Sequence, residues 1–167
     1  MVKFARSIEG SLGSSVGGDY KFKLILKNAK DLQLKHKWVA AAQEYRRIPK
    51  DYTNKEGKKI KLKYFANSIA NAGYCYFQAY RKDKKNSQHL TQARKSLKSA
   101  SDAARKASDP ESQALACYYL GQLENAVKKP KDALAALKPF DSSLSGTAKY
   151  IVRARYQQAV AYFALAK

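Results

Sequence analysis

From Tyr20 onward, apolar residues recur three or four positions apart, a pattern that predicts helices and no strands. The segment DYKFKLILKNAKDLQLK carries Phe22, Ile25, Leu26, Ala29 and Leu32 at these intervals. WVAAAQEYRRI follows with Trp38, Ala41, Ala42, Tyr45 and Ile48, and stops at Pro49. Residues 49–59 read as a loop, punctuated by Pro49, Asn54 and Gly57. A long helix is expected through IKLKYFANSIANAGYCYFQAYR, ending at the charged break RKDKKNS. In SQHLTQARKSLKSASDAARKA, Leu90, Ala93, Leu97, Ala100 and Ala104 form one face, opposite Arg94, Lys95, Lys98, Arg105 and Lys106. Asp109 is placed to cap the next helix, with Pro110 at its first position and Glu111 near its positive end. Pro130 opens KDALAALK in the same way, and TAKYIVRARYQQAVAYFALA forms the last helix. The expected fold class is all-α, with about seven helices in hairpins joined by short connections. Residues 1–18 lack this period and read as a flexible leader containing glycine and serine, with the helical domain spanning 19–167. The leader has no G-K-[ST] sequence, so it does not fit a phosphate-cradling loop.

Small residues recur within the helices at fixed offsets. Ala29 precedes Ala41 by twelve residues, and Gly121 precedes Ala133 by twelve. Glycine inside a helix costs about 1 kcal/mol relative to alanine, so Gly121 points to a close contact. Large apolar residues flank both pairs: Ile25, Leu32, Trp38, Tyr45 and Ile48 around the first, Cys117, Leu120, Leu137 and Phe140 around the second. This pattern resembles the tetratricopeptide repeat, most closely in YYLGQLENAVKKPKDALAAL. A middle unit fits with Ile69, Gly73 and Tyr76 in its first helix and Ala93, Leu97 and Ala100 in its second. Its small residues lie twenty apart, which implies extra helical turns or an insertion at 81–88. A fourth unit begins with Ala159 and Tyr162 and has no second helix. First-helix small residues are 44 and 48 apart, against about 34 in the family. The resemblance therefore implies an irregular right-handed α–α superhelix. The apolar residues of the last helix, Tyr156, Val160, Phe163 and Leu165, suggest that the array continues or that its end packs on a partner.

Charge narrows the choice of partner. The chain has 33 Lys and Arg against 13 Asp and Glu, a formal net charge of +20, which favours an acidic partner. No apolar run approaches the roughly 20 residues of a membrane span, and the start lacks the apolar core of a signal peptide. Cys75 and Cys117 fall on apolar faces without a CxxC pair and read as small core residues. These features favour a cytoplasmic protein, or a periplasmic one if a leader has been removed.

No sequence pattern supports catalysis, a cofactor or a metal. His36 and His89 stand at helix boundaries among polar residues, the first in a turn and the second near a helix start at the surface. Neither has ligand or triad partners at a suitable spacing. What remains is recognition by a non-catalytic protein-interaction scaffold. The family resemblance implies a groove lined by Lys23, Leu26, Lys30 and Gln33, then Asn67, Tyr74 and Phe77, then Tyr118, Gln122 and Asn125, then Arg153 and Tyr156. Asn125 stands where the family often places an asparagine that bonds a peptide backbone, whereas the family's carboxylate clamp is not reproduced. Such a groove suits an extended acidic peptide or a neighbouring subunit in an oligomer or larger assembly. The alternative is a basic helical-repeat module that contacts nucleic-acid phosphates through residues 55–63 and the 81–106 face. That face has no aromatic residue over 92–106, which fits general attraction better than base readout.

Overall fold

The computed structural model describes residues 20–54 and 56–167. Its elements in chain order are α1 (Tyr20–Leu34), α2 (Trp38–Arg46), β1 (Asp51–Thr53), β2 (Lys59–Lys61), α3 (Phe65–Lys82), α4 (Ser87–Lys106), α5 (Pro110–Ala126), α6 (Pro130–Leu137) and α7 (Ala148–Ala166). A 3-10 turn, Lys138–Asp141, extends α6. The described chain is thus predominantly helical. Each helix packs against the next, and α5 also touches α3 and α7. The expected leader at 1–18 lies outside the described residues.

Two expectations need correction between α2 and α3. A short antiparallel hairpin replaces the expected loop, with Tyr52 opposite Ile60 and Asp51 opposite Lys61. Gly57 takes a positive φ of 77° in its turn, and the Asn54 side chain accepts from the backbone N–H of Glu56 and Lys58. The helix expected from Ile60 begins at Phe65 instead. The strand signal lay in Lys59–Lys63, where polar and apolar residues alternate. The Tyr52 ring lies tilted against Phe22, their centres 5.2 Å apart, and Phe22, Ile48 and Leu62 form a small buried cluster beside the hairpin.

The main core is rich in alanine. Ala29, Ala41, Ala42, Ala72, Ala93, Ala100, Ala114, Ala116, Ala133 and Ala154 are all fully buried. Small side chains let helix axes come close, and larger ones then fill the gaps between turns. A Cβ added at Gly121 would lie 2.5 Å from Leu137 Cγ, and one at Gly73 would lie 2.6 Å from Leu97 Cγ. Each glycine is therefore covered by a leucine of the following helix. The twenty-residue spacing of the middle unit has a simple origin. Helix α3 runs nine residues past Gly73, whereas α1 and α5 run five past Ala29 and Gly121. Helix α4 also starts earlier relative to Ala93 than α2 and α6 do relative to Ala41 and Ala133. The middle hairpin is lengthened by about one turn in each arm.

Three turns share one geometry. His36, Ser108 and Lys128 have φ of 55°, 52° and 59°. The residue after each donates to a carbonyl five positions back: Lys37 to Leu32, Asp109 to Ala104 and Lys129 to Glu124, at 2.8–2.9 Å. This is a Schellman closure with a side-chain-bearing residue in the left-handed position. Asp109 then caps α5 as expected, accepting from Ser112 N at 3.0 Å, and Pro110 and Pro130 open their helices. Between α4 and α5, Arg94 holds the buried Glu124 through two bonds of 2.6 and 2.7 Å. Both cysteines are buried and free.

Candidate functional site

The hairpins bring together a row of aromatic rings. His36 lies 5.0 Å from Trp38, whose edge meets Tyr74 at 6.1 Å. Tyr74 lies 4.5 Å from Tyr119, Tyr119 lies 5.1 Å from Tyr118, and Tyr118 lies 6.1 Å from Tyr150. The row crosses the α1–α2 turn, α2, α3, α5 and α7. Trp38, Tyr74 and Tyr119 are half-buried, while Tyr118 and Tyr150 are buried. One sequence feature builds its centre. Helix α5 is packed on several sides, so the adjacent Tyr118 and Tyr119, separated by about 100° around the helix, both find aromatic neighbours.

Cations border the row. Lys149 Nζ lies 5.3 Å from the Tyr150 ring centre. Burial raises the pKa of the Tyr119 hydroxyl, with neighbouring tyrosines adding to the rise and Arg153 opposing it. Burial also raises that of Tyr74, with Cys75 adding and Arg81 opposing. Both tyrosines are therefore neutral hydrogen-bonding groups at ordinary pH. The only buried side-chain polar atom without a partner among the described residues is Nδ1 of His89. His89 is half-buried, 6.4 Å from the Tyr76 ring, which corrects its expected surface position.

The residues expected to line a groove divide into three groups. Tyr74 and Tyr118 join the row, and Gln122 is next to it, its Nε2 3.5 Å from the Tyr118 hydroxyl. Arg153 is exposed and acts on Tyr119. Gln33 and Asn125 are engaged inside the fold. Gln33 Oε1 accepts from the Tyr45 hydroxyl at 2.9 Å and lies 3.8 Å from Cys75 Sγ, tying α1 to α2 and α3. Asn125 Nδ2 donates to the backbone and side-chain oxygens of Gln157, each at 2.9 Å, tying α5 to α7. Lys23, Lys30 and Asn67 are exposed, and Asn67 accepts from Asn71 Nδ2 at 2.9 Å through its side-chain and backbone oxygens. Phe77 is fully buried, and Tyr156 is exposed on α7.

Sequence reasoning missed Tyr119, the half-buried ring that joins Tyr74 to Tyr118. The available signal was the Tyr-Tyr pair, but α5 is apolar on so many sides that periodicity does not separate its faces. Among the described residues, no three His, Cys, Asp or Glu side chains gather as a metal site, and no helix is long and apolar enough to cross a membrane. Compared with protein-family models, curated protein sequences and solved structures, the chain matches none.

Proposed function

We propose that the protein is a non-catalytic interaction scaffold, an irregular tetratricopeptide-like array that grips an extended acidic segment of a partner along its tyrosine row. The observation that carries this reading is the continuity of that row over successive hairpins, from Trp38 through Tyr74 and Tyr119 to Tyr150. The same glycine-under-leucine contact in the middle and last hairpins supports the repeat reading. Tyrosine suits recognition because it combines a large rigid surface with a hydroxyl and loses little rotamer freedom. Arg81, Lys149 and Arg153 supply the positive field. Nucleic acid is the weaker reading for this face. Base stacking needs open ring faces, and these rings already pack on one another at 4.5–6.1 Å.

The test is anisotropy of a fluorescein-labelled peptide rich in Asp and Glu, with Tyr119→Ala and Arg153→Glu as variants. Each substitution is expected to weaken binding about tenfold, the usual size for an anchor residue. Saturable binding that neither variant alters would remove the row from the site. Nucleic acid that displaces the peptide and releases steeply with salt would favour the alternative.

A further inference from the structure

Lys61 and Lys63 of one basic stretch and Lys106 of the other line a hollow of about 660 Å³ that shares no residue with the tyrosine row. Lys61 and Lys63 enter it from β2 and its exit, Lys50 from the start of the hairpin, and Lys106 from the last turn of α4. The backbone fixes this grouping: Leu62 N donates to Lys50 O at 3.0 Å, setting Lys50 beside the exit of β2. Among the described residues none of these four lysines forms an ion pair, whereas neighbouring Lys59 engages Asp51 at 3.3 Å. The one acidic residue of the lining, Asp109, accepts from Ser112 N as the cap of α5. The rest of the wall includes Leu62, Phe65, Ala103 and Pro110.

We propose that this cavity binds a small organic phosphate of nucleotide size carrying two or more negative charges. Its volume lies within the range of small-molecule sites, roughly 300–1,000 Å³. Four like charges around one concavity repel one another, and an anion among them relieves that repulsion. All four lysines are exposed to solvent, and Leu62, Phe65 and Ala103 offer a surface for an organic body. Lysines strung along a helix would fit a nucleic-acid backbone; these instead surround a single hollow.

The experiment is anisotropy of the fluorescent nucleotide mant-ATP with the full chain, with far-ultraviolet circular dichroism confirming the fold of each variant. Saturable one-to-one binding is expected, weakened about tenfold or more by Lys61→Glu with Lys106→Glu. Ala107→Trp, which narrows the cavity without altering any charge, is expected to weaken it similarly. Lys95→Glu with Lys98→Glu makes the same net-charge change elsewhere on α4 and is expected to leave binding within about twofold. Inorganic tripolyphosphate should compete, but less tightly. The proposal is overturned by absence of saturation up to about 1 mM, or by equal losses in the two lysine pairs. It is also overturned if Ala107→Trp binds normally or tripolyphosphate competes as tightly as ATP. Tighter capture of a short oligothymidylate that ATP fails to displace would assign the cavity to nucleic acid instead.

Discussion

In the α3–α4 hairpin the covering leucine follows its glycine by 24 residues, from Gly73 to Leu97; in α5–α6 it follows by 16, from Gly121 to Leu137. The contact is nearly the same, with an added Cβ 2.6 or 2.5 Å from Leu Cγ. What repeats is therefore the point where two helices meet, while the arms beyond it vary in length. The pair differs in one respect that affects energy. A Cβ added at Gly73 would also lie 3.1 Å from the backbone N of Leu97, whereas the three atoms nearest one added at Gly121 all belong to the Leu137 side chain. A backbone yields less readily than a side chain that can change rotamer.

The largest expected effect comes from breaking the link between the two hairpins. Arg94→Ala leaves the Glu124 carboxylate, only 5% exposed, without its cation, and should cost about 3–5 kcal/mol in urea unfolding. Replacing both residues, by Arg94→Met and Glu124→Leu, should recover most of that loss. If the single and double variants are equally unstable, the buried charge is not the cause.

The glycines test the comparison directly. Gly73→Ala should destabilise by about 2 kcal/mol and Gly121→Ala by about 1 kcal/mol, because improved helix propensity offsets part of the overpacking. Equal costs, or the reverse order, would mean that the backbone contact at Leu97 does not matter. The turns give a smaller effect of opposite sign. Lys128→Gly should stabilise the α5–α6 hairpin by about 1 kcal/mol by removing a side chain from a left-handed position. Asn86→Gly in the α3–α4 turn should give no such gain, since Asn86 has φ −82°. Thermal unfolding of the two variants separates these outcomes.

The thiols provide the finest contrast. Burial pushes Cys75 up to about 12, and Tyr45 rises to about 12 through burial and proximity to Cys75. Burial also raises Cys117, but its contact with Ser101 opposes the rise. In all three cases the folded state holds the proton more tightly. That stability is present below about pH 9, the ordinary thiol value, and is lost as pH rises toward about 12. The unfolding midpoint should fall across this window, and Cys75→Ala should flatten the fall more than Cys117→Ala.

Helix type and helix ends were legible in the residues because their causes are local. Asp109, Pro110 and Pro130 act within one turn, and the alternating faces of α4 are plain in its sequence. The β-hairpin was obscured by Pro49 and Gly57, which mark a loop as readily as a turn between strands. The site was harder to read for a different reason. Gln33 and Asn125 have side chains suited to a ligand, but their partners, Tyr45 and Gln157, are set by how helices pack. Tyr119 was hidden by the density of apolar residues around α5, and the lysine cavity joins Lys50 to Lys106 across 56 positions.

Helix α5, touched by α3, α4, α6 and α7, gives the molecule a centre in time as well as in space. Its amides open to solvent only after neighbours on both sides have loosened, so hydrogen exchange should slow progressively from the outer helices toward Ala114–Leu123. A partner that orders the outer helices would thus lengthen protection there first and leave the slowest amides almost unchanged.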